Sequence, residues 1–170
     1  AISGSFTLSA TDEFSNAIFD ARQDTYAKLA AASFSYTPQV FLNAREWRGW
    51  RNGGRAEIAH AASEASPISI ALALRQSANN SLSVEAAVQA AAGAAKVDLA
   101  AARLYVLLYE DDLTVRPNAG ELRNAVLKHD HVVRDWRVSD AMQVGKAINH
   151  VFSVPAHWNR KKIGVVAFVQ

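Results

Sequence analysis

Four histidines in the second half of the chain come nearest, by type and spacing, to a metal site. His129 and His131 are two positions apart, so on a strand their side chains would lie on the same face. Imidazole pairs at this spacing can bind copper or zinc, and His150 and His157 are further candidate ligands. No other ligand follows at a fixed spacing, which favours surface or hydrogen-bonding histidines over a metal carrier.

A run of carboxylates, Glu110, Asp111 and Asp112, directly follows a strongly apolar segment. Calcium would need further oxygen ligands at defined positions, and no such pattern follows. Acid–base catalysis would need a concave site, which the sequence does not locate. The sequence also lacks the Gly-x-Ser-x-Gly turn of serine hydrolases and the glycine-rich loop that binds phosphate. We therefore expect a solvated turn here, and we predict no catalytic, cofactor-binding or metal-binding residue.

Arginine and tryptophan are concentrated in the segment REWRGWR, residues 45–51. These two residue types are over-represented at the centres of protein interfaces. If residues 45–48 are extended, their side chains alternate between two faces. Two alternatives remain open: the rings cover the core, or they stack on nucleic acid, which normally requires a longer basic groove. We predict that five residues form a partner interface: Arg45, Trp47, Arg48, Trp50 and Arg51.

The composition is that of a globular protein, with 170 residues of which 50% are hydrophobic and 20% charged. A net charge of +2 gives no strong argument for nucleic acid or for an anionic membrane. The chain contains no cysteine, which excludes disulfides, cysteine-ligated zinc, iron–sulfur clusters and covalent haem c in these residues. No apolar stretch reaches the roughly 20 residues of a membrane span. The small residue Ala1 fits the remnant of a cleaved signal peptide, so we expect a periplasmic protein.

The hydrophobic pattern predicts an α+β protein in two parts. In residues 1–66 it predicts helix, strand, strand, helix, with Ser9 or Thr11 capping the first helix and a turn at Asn43-Ala44. Residues 67–170 read as an antiparallel β-sandwich or curled sheet. In order, the predicted elements are a helix over 11–33, strands over 38–43 and 44–48, a helix over 55–64, and strands over 68–75, 82–88, 104–109, 126–138 and 163–169. Residues 90–102 fit either a helix or strand, loop, strand, and we favour the latter because Gly93 interrupts them.

Five motifs in a fixed order carry a resemblance to a known family. They are FDARQDTYA (19–27), YTPQV (36–40), NAG (118–120), HVVRD (131–135) and VVAFVQ (165–170). Together they resemble a family of secreted bacterial proteins of unknown function, in which a thioredoxin-like domain precedes a small β-domain. The resemblance implies that Tyr36, Thr37 and Pro38 form the proline loop, with Pro38 in the cis form.

The sequence departs from this family where the chemistry would lie. The family has a strand and a Cys-x-x-Cys loop upstream of the first helix, whereas this sequence has only residues 1–10 there. Disulfide exchange requires a thiolate, so the redox role is not carried over. Arg116-Pro117 also replaces the family's Gly-Glu pair. A truncated thioredoxin-like half would leave apolar surface uncovered. Ile2, Phe6 and Leu8, a second copy, or a partner protein would have to cover it, and we favour a partner.

These considerations predict a non-catalytic accessory subunit of a periplasmic complex. The chain is similar in type to the small third subunit of membrane-bound quinohaemoprotein alcohol dehydrogenases, where pyrroloquinoline quinone and haem c belong to the larger partners. One alternative is a stand-alone thioredoxin-like binding protein or enzyme without thiol chemistry. It would use a cleft lined by Arg22, Tyr26, Tyr36 and Pro38, although Arg22 and Tyr26 fit better as anchors of the proline loop. The other alternative is the histidine-based metal carrier.

Overall fold

The protein has an α+β fold, as the sequence predicts. The computed structural model describes residues 14, 16–30, 36, 38–77, 79–93, 99–118, 122–139 and 142–170. These residues fall into two compact units, one formed by residues 11–65 and one that includes residues 66–170. The predicted caps Ser9 and Thr11, the apolar positions Ile2, Phe6 and Leu8, and Thr37 of the proline loop lie outside the described residues. Within the described residues, no helix is both long and apolar enough to cross a membrane.

The first unit contains two helices and a short hairpin, in the predicted order. Its elements are α1 (Ala17–Leu29), β1 (Phe41–Leu42), β2 (Arg45–Glu46), a 3₁₀ turn (Arg48–Asn52) and α2 (Arg55–Ser63). Helix α1 begins after Asn16, whose extended backbone lets its side-chain oxygen accept a hydrogen bond from the Ile18 N–H at 3.0 Å. The helix therefore starts six residues later than the predicted residue 11, at a residue type that caps as well as serine or threonine.

The hairpin turn is confirmed at Asn43 and Ala44. Both residues have positive φ, of 47° and 60°, which is the conformation that a two-residue hairpin turn requires. The Trp47 N–H donates to the Val40 carbonyl at 2.8 Å and closes the hairpin. The extended backbone ends at Trp47, because the 3₁₀ turn begins at Arg48. The predicted alternation of two faces over residues 45–48 is therefore wrong at its last position.

The described residues of the second unit form eight strands. They are β3 (Ile68–Ser77), β4 (Ser81–Ala90), β5 (Leu104–Glu110), β6 (Leu113–Val115), β7 (Leu127–His129), β8 (Val132–Val138), β9 (Ala147–Ser153) and β10 (Ile163–Val169). Two antiparallel three-stranded sheets have the orders β3-β4-β9 and β10-β5-β8, and β6 pairs with β7 as a separate hairpin.

The hydrophobic core of this unit is formed mainly by its two central strands, β4 and β5. Alternate residues of β4 and of β5 are fully or almost fully buried in one cluster, which also takes in two residues from β9 and the segment that follows it. The members are Val84, Ala86, Val88, Leu104, Val106, Leu108, Phe152 and Val154. Because side chains alternate across a strand, each sheet contributes one apolar face to the cluster. This is the predicted sandwich-like arrangement.

One strand prediction needs correction, and another falls partly outside the described residues. The segment 126–138 is not one strand, because His131 has a positive φ of 58° and separates β7 from β8. In the segment 90–102, β4 ends at Ala90, and Gly93 takes a positive φ of 74°. The other described residues of that segment are turn or irregular, and the next strand begins only at Leu104; residues 94–98 lie outside the described part.

Candidate functional site

A carboxylate at the end of the hairpin is the centre of a polar cluster in the first unit. Glu46 Oε1 accepts hydrogen bonds from Tyr36 Oη at 2.8 Å and from Gln39 Nε2 at 3.1 Å. Its other oxygen, Oε2, accepts from Arg48 Nε at 2.9 Å. The Glu46 side chain is only 11% exposed. We call these residues, together with Gln23, the Glu46 cluster.

The cluster shifts two pKa values in opposite directions. The hydrogen bonds from Gln39 and then Tyr36, with a smaller contribution from Arg48, lower the pKa of Glu46. The hydrogen bond to Glu46, followed by burial, raises the pKa of Tyr36 above its ordinary value. Glu46 is therefore ionised and Tyr36 protonated at neutral pH. Each group is therefore in the protonation state that the hydrogen bond from Tyr36 to Glu46 requires.

The proline loop is anchored to α1 by Gln23. Its Nε2 donates to the Tyr36 carbonyl at 2.9 Å and to Gln39 Oε1 at 3.1 Å. The predicted anchors show other contacts: Arg22 Nη2 donates to Tyr26 Oη at 2.6 Å, and the Tyr26 ring lies 5.2 Å from that of Phe41. No local sequence pattern indicates the role of Gln23, because its two partners lie 13 and 16 residues away along the chain.

The two tryptophans of residues 45–51, which we call the Arg–Trp segment, have different environments. A Cβ placed on Gly54 would overlap the six-membered ring of Trp47, so this ring lies directly on the start of α2. The Arg51 guanidinium carbon lies 4.7 Å from the centre of the Trp50 ring, in a cation–π contact. Both tryptophans are half-buried. Trp47 thus supports the segment from inside, and Trp50 pairs with Arg51.

The arginines of the segment are directed to solvent. Arg45, Arg51 and the nearby Arg55 are exposed, and none of them pairs with a carboxylate among the residues described. The Arg48 side chain is 74% exposed, although Glu46 holds its Nε. Four of the five predicted interface residues thus make a contact within the first unit, namely Trp47, Arg48, Trp50 and Arg51.

The comparison with known proteins identifies the family. A family model described as "Protein of unknown function (DUF1223)" matches residues 8–170. The chain belongs to this family. No curated protein and no solved structure matches the chain. The predicted resemblance to a family of unknown function is thus confirmed.

The proposed metal ligands of this DUF1223 protein do not share a strand face. His129 ends β7, whereas His131 lies in the turn before β8, where its Nδ1 is 2.5 Å from Asp111 Oδ1 and its backbone N–H donates to the same oxygen at 2.7 Å. This contact lowers the pKa of Asp111. In the described part of the chain, no three or more His, Cys, Asp or Glu residues group as metal ligands. The expected shared face of His129 and His131 is wrong.

His150 is partly buried in the second unit of this DUF1223 protein. On β9 it alternates with exposed neighbours, as do Ile148 and Phe152, and its buried Nε2 has no hydrogen-bond partner among the residues that the structure describes. Burial lowers the pKa of His150, and the charge of Arg137 lowers it further. His157, the fourth candidate, is exposed and packs its ring edge-on against Trp158. His150 is thus a partly buried histidine that is uncharged at neutral pH.

The carboxylate run is not the solvated turn that the sequence predicts, at least at Glu110. This residue is 3% exposed, because it lies at the end of β5 on the core side. Its Oε1 accepts from the Asn159 N–H at 3.0 Å, and its Oε2 lies 3.6 Å from Arg134 Nη1. Asp112, by contrast, is exposed in a turn with a positive φ of 59°. Glu110 thus links three segments of the second unit, which are β5, β8 and the segment before β10.

Proposed function

We propose that this DUF1223 protein is a non-catalytic accessory subunit of a periplasmic complex, which binds a larger catalytic partner through the Arg–Trp segment. One observation carries the proposal: a seven-residue segment presents three exposed arginines on a backbone that Glu46 and Trp47 hold in place. A segment fixed before binding loses less conformational entropy when it meets a partner. Exposed arginine next to half-buried tryptophan is the composition found at interface hot spots.

The Glu46 cluster supports a binding role better than a catalytic one. Both Glu46 oxygens already accept hydrogen bonds, and a lowered pKa makes this carboxylate a weaker base. The raised pKa of Tyr36 likewise makes its hydroxyl a weaker acid near neutral pH. These groups stabilise a loop and orient Arg48.

The class of partner follows from the resemblance in type described above. We propose a membrane-bound quinohaemoprotein alcohol dehydrogenase, in which pyrroloquinoline quinone and haem c are bound by the larger subunits. The thioredoxin-like ancestry of the first unit belongs to the same proposal. The four-element order α1, β1, β2, α2 supports it.

Co-purification from the native membrane fraction tests this function. A tagged chain should retain a stoichiometric larger partner, and R45A/R48A/R51A should lose most of it. The matched control is R75A/R116A/R123A, which removes the same number of exposed arginines from the second unit. Absorbance of haem c in the retained material, together with quinone-dependent alcohol oxidation, would identify the proposed class of partner. A chain that runs alone on size exclusion after gentle detergent extraction would overturn the proposal.

A further inference from the structure

We infer that the partner surface bound by the Arg–Trp segment is acidic, and that its carboxylates bind the exposed guanidinium groups of Arg45, Arg48 and Arg51. This inference rests on the proposed function and specifies the chemistry of the partner. Charge segregation, the geometry of Arg48, and the Trp50–Arg51 pair support it.

Positive charge is concentrated on one part of the first unit. Residues 45–55 contain four arginines and one glutamate, a net charge of +3. The charge of that glutamate, Glu46, is compensated within the Glu46 cluster, where its carboxylate accepts three hydrogen bonds. The other charged residues described in this unit give a net charge of −2; they are Asp20, Arg22, Asp24, Lys28, Glu57 and Glu64. The segment is thus a local basic patch on a unit that is otherwise acidic.

The geometry of Arg48 suits a carboxylate from outside the chain. Its Nε donates to Glu46 Oε2 at 2.9 Å, which fixes the orientation of the planar guanidinium group. The side chain is 74% exposed, and no other contact among the described residues uses its terminal nitrogens. Two parallel N–H donors on a fixed plane match the two oxygens of a carboxylate. Glu46 therefore orients Arg48 for binding.

Trp50 and Arg51 add a second kind of contact within the Arg–Trp segment. Stacking on the Trp50 ring restricts the Arg51 guanidinium, which lies 4.7 Å from the ring centre and has no carboxylate partner in the described structure. An ion pair shielded from water by an aromatic neighbour is stronger than one that is fully solvated.

An acidic protein fits this patch better than nucleic acid does. Nucleic-acid binding draws on many phosphate contacts along a basic groove. Here the excess of +3 is confined to eleven residues, and the net charge of the whole chain is only +2. Three exposed arginines within seven residues, one of which stacks on a half-buried ring, match the size of a protein hot spot.

Binding of defined probes tests the inference directly. The first probe is a fluorescently labelled peptide of alternating Glu and Ser, followed by anisotropy at about 50 mM and about 500 mM salt. We expect binding that weakens at high salt and falls about tenfold or more in R45E/R48E/R51E. R75E/R116E/R123E, of equal charge change, should bind as the wild type does. R45E/R51E, which keeps the Glu46–Arg48 pair, should show an intermediate loss and guards against misfolding of the triple variant.

Other outcomes separate this inference from the proposed function. Equal loss in both triple variants, no binding of the peptide, or tighter binding of a short DNA duplex or of phosphatidylglycerol vesicles would each overturn the acidic-partner inference. If R45E/R48E/R51E still co-purifies with the native partner, the accessory-subunit function stands and only the assigned surface fails. If no partner exists but the peptide binds at these arginines, the proposed complex fails while the basic patch is real.

Discussion

At the scale of single residues, Glu46 determines the conformation of the candidate surface. One carboxylate accepts from Tyr36, Gln39 and Arg48, which lie ten, seven and two positions away. It therefore links the proline loop, the hairpin and the Arg–Trp segment. Removing its charge should release all three connections together.

We predict that E46Q lowers the pKa of Tyr36 toward its ordinary value. The wild-type shift arises mainly from the hydrogen bond to Glu46, with burial and the charge of Glu46 adding to it. A neutral amide stabilises the protonated phenol less. Ultraviolet difference titration of the phenolate band measures the change. E57Q, at an exposed site on α2, is the control, and an unchanged Tyr36 titration in E46Q would contradict the assignment.

Sequence patterns predicted some of these residues and missed others for a physical reason. The turn could be predicted from Asn43, because asparagine adopts positive φ more readily than most residues. Gln23 and Gln39 gave no signal, because a glutamine acts only through the groups that the fold places near it. His131 was misassigned to a strand, since alternation in sequence does not reveal a left-handed residue that a distant Asp111 stabilises.

At the scale of elements, Gly54 sets how closely the hairpin approaches α2. The residue lies under Trp47 and forms the N-cap of the helix without a side-chain hydrogen bond. A glycine here allows an aromatic ring to lie on the backbone. Because Gly54 has no side chain, the Trp47 ring can lie against the backbone at the start of α2.

We expect G54A to lower the free energy of unfolding by about 1–3 kcal/mol, the usual cost of overpacking. The added methyl group would overlap the Trp47 ring. G49A is the matched control, because its Cβ would meet Trp47 Nε1 at an ordinary 3.5 Å. Chemical denaturation followed by tryptophan fluorescence measures both. Equal stability of G54A and the wild type would contradict this packing.

The link between β5, β8 and the segment before β10 depends on Glu110. Its carboxylate is buried beside Arg134, whose side chain is 16% exposed. Replacing Glu110 by alanine leaves that cation and the Asn159 N–H without this carboxylate. We therefore expect E110A to lower the free energy of unfolding by about 3–5 kcal/mol. E85A, at an exposed position of β4, should change it little, and similar losses in both variants would refute the role of Glu110.

Most elements could be predicted, whereas this link could not. Strands β3, β4 and β5 follow local alternation or a continuous apolar run, which a sequence displays directly. Glu110 stands before two aspartates, and locally that run resembles a solvated turn. Its burial depends on Asn159 and Arg134, 49 and 24 positions further along the chain, and no local pattern contains that information.

At the scale of the whole molecule, His150 makes stability depend on pH. Its lowered pKa means that the unfolded chain, in which histidine titrates near 6.5, binds a proton more readily than the folded protein does. The free energy of unfolding should therefore decrease as the pH falls through about 6.5, and the decrease should level off below the folded-state pKa. Above about pH 7.5 the effect vanishes.

We predict that H150L flattens this decrease. Leucine removes the titrating group and the unsatisfied Nε2 from the inner face of β9. Denaturation midpoints between about pH 5 and about pH 8 measure the slope. H60Q, on the exposed surface of α2, provides the control and should keep the wild-type slope. An unchanged slope in H150L would mean that other groups cause the acid sensitivity.

The strand order also governs when the second unit can assemble during synthesis. Strand β4 is completed by β9, with Ser81 opposite Ser153, and β5 is completed by β10, with Leu104 opposite Val169. Both central strands thus leave the ribosome long before their last neighbours, and pairing across such separations is slow. Strand β4 can pair with β3 as soon as Ala90 has been translated, whereas β5 has to wait for β8, and its sheet is complete only after Val169 has been made. The apolar strand β5 is therefore synthesised well before its first sheet neighbour, and in that interval a holding chaperone can bind it.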